Sequence, residues 1–213
     1  MGSSDVSKEK ARRSRDRLSN LPDPLLHQIF SCLDTKQAIQ SCVLSKRWRD
    51  FWVSLPHLNF DYRSFHTKSD FQNFVCKVLY SRLDNPIFGG KFGFHCGHCW
   101  KMDETLIKKV ISCVESHWFQ HLHMEYEEEN DNMNVINMFR GLHKAQYVKL
   151  HYHTIEVLTL VPGLLEKQPS PFTNLKSLKL YLPYNTKSSK VPSHVMRYLL
   201  GDSSGADLII VKS

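Results

Sequence analysis

Five pairs of apolar residues, the members of each pair two positions apart, recur along the second part of this chain: Phe92/Phe94, Leu122/Met124, Val148/Leu150, Leu178/Leu180 and Ile209/Val211. On an extended backbone, residues two apart point to the same side, so each pair marks a strand with one face in a core. Successive pairs stand 26–31 residues apart, which leaves room for a helix between strands. Helical patterns fall in those gaps, at Thr105–Val114, Val135–Phe139, Ile155–Leu165 and Val195–Leu200. A strand joined to the next by a crossover helix runs parallel to it. The expectation is a parallel sheet made by repeating one strand–helix unit and stacked as a solenoid.

The first part of the chain has a different texture. Leu25, Leu26, Ile29, Phe30 and Leu33 form an apolar stripe at helical spacing, wider than one neighbour would cover. Asp23 reads as its N-cap, with Pro24 at the first helical position where a missing N–H costs nothing. Leu21 is extended, because a following proline disfavours helix. A second pattern, Ala38, Ile39, Cys42 and Val43, takes Thr35 as its cap. A third, Trp48, Phe51, Trp52 and Leu55, opens at Ser45 and stops before Pro56. A unit of fewer than about 50 residues has little core of its own. Apolar residues on more than one face of these helices therefore predict a partner that covers the rest.

These residues carry a resemblance. The stretch DRLSNLPDPLLHQIFSCLDTKQAIQSCVLSKRWRDFWVSLPHLNFD is similar to an F-box of the plant F-box/leucine-rich-repeat type. The matching pieces are Asp16-Arg17-Leu18-Ser19, Leu21-Pro22-Asp23, Leu25-Leu26, Ile29, Thr35-Lys36-Gln37-Ala38, Val43 through Arg49, and Leu55-Pro56. The resemblance implies a helical module that docks on the Skp-type adaptor of a cullin-based (SCF) ubiquitin ligase. Its adaptor face, carried over residue by residue, is Leu21, Pro22, Leu25, Leu26, Ile29, Val43, Leu44 and Trp48. More loosely, Phe172-Thr173-Asn174-Leu175-Lys176-Ser177-Leu178-Lys179-Leu180 and the segment VPSHVMRYLL resemble later repeats of the same family. That family implies more repeats than this sequence holds, so the solenoid is expected to be short.

The expected organisation is α+β overall: an N-terminal three-helix F-box, then a short leucine-rich-repeat α/β solenoid with a parallel sheet. Residues 1–15 read as a disordered basic arm and 16–60 as the F-box. Residues 61–90 read as a bridging helical segment, with Phe65, Phe71, Phe74, Val75, Val78, Leu79 and Leu83 in a stripe that covers the first end of the solenoid. Residues 91–213 read as the solenoid itself, cut short relative to the family.

Charge narrows the function. The net charge of +7 would suit nucleic acid. Much of it, however, sits in the arm, at Lys8, Lys10, Arg12, Arg13, Arg15 and Arg17, while Glu125, Glu127, Glu128, Glu129 and Asp131 form an acidic run that would repel phosphates. No apolar run approaches the roughly 18 residues of a membrane helix, and the N-terminus lacks the apolar segment of a secretory signal. The absence of an Asn-x-Ser/Thr site, with six cysteines mostly inside apolar patterns, favours a reducing setting, nucleus or cytoplasm.

Candidate chemistry is thin. His95-Cys96-Gly97-His98-Cys99 holds a Cys-x-x-Cys and two histidines, half of a zinc site. No second Cys-x-x-Cys follows, so Cys113 or His117 would have to complete it, and no metal is assigned; His95, Cys96, His98 and Cys99 stay as weak candidates. The sequence has no nucleophile elbow, catalytic cysteine signature or phosphate-cradling glycine loop. On the strands, polar residues alternate with the inward ones. Stacking would bring His123, Lys149 and Lys179 into one row and His95, Glu125, His151 and Tyr181 into the next. His123, Glu125, Lys149, His151, Lys179 and Tyr181 are therefore the residues expected to face a substrate.

The resemblance implies a non-catalytic substrate-recognition subunit without a cofactor, with an Skp-type adaptor, a cullin reached through it, and an unidentified target protein as partners. Two alternatives stay open. One is a basic nucleic-acid-binding protein using the arm with Lys46, Arg47 and Arg49; the other is a zinc-binding interaction module at residues 95–99.

Overall fold

The computed structural model describes residues 20–82, 84, 87–97, 103–126, 132–184, 191–201, 203 and 205–212. The basic arm expected at 1–15 lies outside them, as do Leu83, His98, Cys99 and the acidic residues 127–129 and 131. The chain divides into two units, one ending at Leu55 and one beginning at Pro56.

The first unit opens with α1, Asp23–Phe30, whose N-cap is Pro22; Asp23 sits in the first turn instead of capping it. The stripe expected on this helix is split. Leu26 and Phe30 are buried, while Leu25 and Ile29 are 46% and 45% exposed. Helix α2, Thr35–Ser41, is capped by Asp34 rather than Thr35. The Asp34 carboxylate accepts from Gln37 N at 2.7 Å and Gln37 Oε1 accepts from Asp34 N at 3.2 Å, a reciprocal capping box.

The third expected helix does not form. Three 3-10 turns follow α2: Cys42–Leu44, at the end of the second expected pattern, then Lys46–Trp48 and Phe51–Ser54 in place of the third. Serines and aromatics are weak helix formers. The core is Leu26, Phe30, Ala38, Cys42, Trp48 and Leu55, with Phe30 and Trp48 edge to face at 5.5 Å.

The second unit is a six-stranded sheet in strict sequence order. Its strands are β1 His57–Asp61, β2 Phe88–Cys96, β3 Trp118–Tyr126, β4 Tyr147–His151, β5 Ser177–Leu182 and β6 Asp207–Lys212, all parallel. The crossovers hold α3 Lys68–Arg82, α4 Glu104–Ser116, α5 Asn132–Gly141, α6 Tyr152–Thr159 with α7 Pro162–Leu165, and α8 Ser193–Leu200. Residues 57–60, assigned to the first module from sequence, thus form with Asp61 a strand of the sheet. The segment expected to bridge and cover its end is the crossover between β1 and β2. The single helix expected over 155–165 breaks at Leu160 and restarts at Pro162, because proline cannot continue a helix but can begin one.

One face of the sheet is apolar throughout. Leu58, Phe92, Leu122, Val148 and Leu178 form one buried row; Phe60, Phe94, Met124, Leu150 and Leu180 form the next. The helices pack on their sequence neighbours, α4 against α3 and α5, α8 against α6 and α7. Helix α4 is amphipathic, burying Leu106, Ile107, Val110, Cys113 and Val114. Thr154, fully buried, ties β3 to α6: its hydroxyl accepts from Tyr126 N at 2.8 Å and donates to Met124 O at 3.3 Å.

The β6 register differs from expectation by one residue. Leu208 and Ile210, not Ile209 and Val211, continue the core rows, and a slip of one flips every side chain to the other face. All of Leu208, Ile209 and Ile210 are nonetheless 44–49% exposed. At the start of β2 the ladder shifts at Gly90, where a Cβ would lie 2.1 Å from the Pro56 carbonyl oxygen. Only glycine lets the two backbones meet there.

Candidate functional site

Each unit presents one surface able to do something. On the first unit it is a set of exposed apolar side chains around a filled core. Of the residues the resemblance implied for docking, Pro22, Leu25, Ile29, Val43 and Leu44 are exposed, with Val43 and Leu44 at 86% and 70%. Leu21 is half-buried. Leu26 and Trp48 are core, at 0% and 5% exposure, and so leave the docking set: their side chains hold the unit together from within. Arg47 also has an internal job. It donates to Leu21 O at 2.6 Å and pairs with Asp23, pinning the entry of α1 to the second 3-10 turn. A guanidinium so occupied is withdrawn from the phosphate contacts considered for it.

On the second unit the surface is the polar face of the sheet. The register aligns Asn59, Gly93, His123, Lys149, Lys179 and Ile209 across all six strands. The next row has Asp61 against His95 against Glu125, and His151 against Tyr181 against Val211. A third row sets Lys91 beside His121 and His121 beside Tyr147.

Its polar groups form two networks. In the first, Arg63 grips Asp61 through Nε and Nη2, both at 2.9 Å, and its Nη2 lies 3.8 Å from Glu125. His95 Nδ1 donates to Glu125 Oε2 at 2.9 Å, which sets the His95 tautomer. Burial pulls the Glu125 carboxyl upward, but the His95 hydrogen bond and its electrostatic interaction with His151, His95 and Arg63 bring it below the ordinary carboxylate value. Burial likewise raises Asp61, and the Arg63 hydrogen bonds and charge outweigh it. Both carboxylates are therefore ionised and already engaged.

In the second network His123 Nε2 and His151 Nε2 meet at 2.8 Å, one donating to the other. His151 then stacks on Tyr181, with centroids 4.7 Å apart and planes at 15°. His121 stacks on Tyr147 in the same way, at 4.7 Å and 13°. Burial, then the nearby His95, His151 and Lys149, push the His123 imidazole down to about 4. Burial also lowers His151, and lowers His121 together with Lys91 and Lys149. Near neutral pH the His121, His123 and His151 rings supply hydrogen-bonding edges without charge.

The geometry gives no support to a metal at the histidine–cysteine motif. His95 and Cys96 are neighbours on a strand and point to opposite faces, His95 toward Glu125 and Cys96 into the core. His98 and Cys99 lie outside the described residues. Cys113 and His117 face each other, Sγ to Nε2 at 3.9 Å. Among the described residues no group of three or more His, Cys, Asp or Glu is placed to hold a metal ion, and no helix is long and apolar enough to cross a membrane. Sequence reasoning missed Asp61 and Arg63, because the strand and the 3-10 turn that present them, His57–Asp61 and Tyr62–Ser64, went unrecognised.

Comparison with known proteins places this architecture. Residues 18–59 match the F-box domain family. An F-box/LRR-repeat protein of Arabidopsis thaliana is 30% identical over 167 residues, covering 78% of this chain and 50% of that protein. An F-box/FBD/LRR-repeat protein of the same plant is 45% identical over 145 residues, covering 63% of this chain and 33% of its own length. A second such protein is 32% identical over 57% of this chain and 26% of itself. The chain thus spans half or less of the length of these relatives. With helices and 3-10 turns in the N-terminal unit and a parallel sheet later in the chain, this is an F-box protein. More narrowly, it belongs to the plant F-box/leucine-rich-repeat type.

Proposed function

We propose that this protein is a substrate-recognition subunit of an SCF-type cullin ubiquitin ligase. Its first unit docks on an Skp-type adaptor, and its parallel sheet holds a target protein. The observation that carries the reading is the exposure of Leu25, Ile29, Val43 and Leu44 on a unit whose own core is already filled. Exposed apolar residues on so small a unit gain free energy only when another protein covers them.

The sheet, with strands in sequence order and a helix on each crossover, is on this reading a leucine-rich-repeat solenoid whose polar face meets the target. The protein itself makes and breaks no bonds; it works by raising the effective concentration of a target lysine near a ubiquitin-charged enzyme. Among the described residues the cysteines at positions 32, 42, 76, 96 and 113 are free thiols, which suits the nucleus or cytoplasm.

The test is co-expression with an Skp-type adaptor. The wild-type chain is expected to purify with it as a complex. Ile29→Asp combined with Val43→Asp should abolish that complex with an unchanged circular dichroism spectrum, since both side chains are on the surface. Adaptor binding undiminished by the two aspartates would overturn the proposal.

A further inference from the structure

The polar face of the sheet carries a charge imbalance. Lys149 and Lys179 stand opposite each other in register, and neighbouring strands are about 4.8 Å apart. Like charges set directly across from one another weaken a sheet. Among the described residues neither lysine is in an ion pair, and nor is Lys91. The carboxylates that could balance them, Asp61 and Glu125, are held by Arg63 and His95. Lys179 leans on the Tyr181 ring, 5.1 Å from its centroid, and Lys149 is exposed. Among the described residues the result is a strip of unpaired lysine charge across β2 to β5, floored by imidazole and phenol edges.

Resting on the substrate-receptor reading, we infer that this strip takes an acidic segment of the target protein, an extended stretch whose Asp or Glu side chains reach Lys91, Lys149 and Lys179. Lys91 and Lys149 are on strands two apart, roughly 10 Å, and offset by two residues, about 7 Å, along the strand, beyond the span of one small anion but within that of several carboxylates on one chain. A nucleic acid fits less well. Binding of single strands relies on open aromatic faces for base stacking, and here His121 is stacked on Tyr147, and His151 on both His123 and Tyr181.

The experiment is fluorescence anisotropy with the full chain, with the Skp-type adaptor or alone, and a labelled peptide of alternating Glu and Ser. The peptide is expected to bind, and a Gln/Ser peptide of equal length is not. Lys149→Glu with Lys179→Glu should weaken binding by about tenfold or more, since two ion pairs are replaced by repulsion. Lys149→Gln with Lys179→Gln, a milder change, should weaken it in the same direction if the glutamates disturb the fold. Lys108→Glu with Lys167→Glu, an equal charge change at exposed positions off this face, should leave it intact. Equal binding of the neutral peptide, equal loss in the off-face variant, or tighter binding of a single-stranded RNA through the same lysines would each overturn the inference. Adaptor co-purification is read in parallel and should survive every lysine variant. Its failure in the wild type would sink the receptor reading while leaving the peptide measurement to stand or fall by itself.

Discussion

His123 shows how one side chain can report on the whole polar face. Its imidazole sits among His95, His151, Lys149 and Glu125, and in the folded protein it protonates only near pH 4 against an ordinary value of 6.5. Between those values the unfolded chain binds a proton that the folded chain refuses, so stability present above about pH 6.5 is lost as pH falls toward 4. His123→Gln should therefore show a smaller drop in melting temperature between about pH 7 and about pH 5 than the wild type; an unchanged drop would mean that His123 is not held neutral. The alignment of His123 with Lys149 and Lys179 was legible in the sequence, because each follows an inward residue by one position on its strand. The contact between His123 and His151 was not, since ring orientation depends on neighbours three strands wide. Leu26 and Trp48 were misplaced for a related reason: an apolar stripe shows that a helix has greasy sides without showing which is turned inward.

At the scale of the element, short local signals decide boundaries. The capping box of α2 was readable in Asp34-Thr35-Lys36-Gln37, an acid followed three residues later by a glutamine; choosing Thr35 overlooked the reciprocal partner. Asp34→Ala should cost about 1 kcal/mol, the usual value of a lost N-cap, measured by chemical denaturation, whereas Thr35→Ser should cost less if the cap is Asp34 as described. Strands β2 to β5 were legible through their period-two apolar pairs. Strand β6 was recognised but set one residue out, because Leu208-Ile209-Ile210-Val211 is apolar without alternation and carries no phase. Strand β1 carries the same kind of pair, Leu58 and Phe60, but was overlooked because it follows directly on the first unit.

For the whole molecule, the order of the strands governs how firmly each part is held. β3 and β4 have partners on both sides and buried inward residues, while β6 pairs only with β5 and leaves Leu208 and Ile210 in water. Hydrogen exchange followed by mass spectrometry should find β6 amides exchanging well before those of β3 and β4, and a uniform profile across the six strands would contradict this. The sequential order has another consequence. No strand waits for a distant stretch of chain, so the loop closed at each step is a single crossover and its entropy cost grows little from one step to the next. As the polypeptide leaves the ribosome, each newly emerged strand already finds its landing site formed by the one before it, and the sheet can be laid down at the pace of translation.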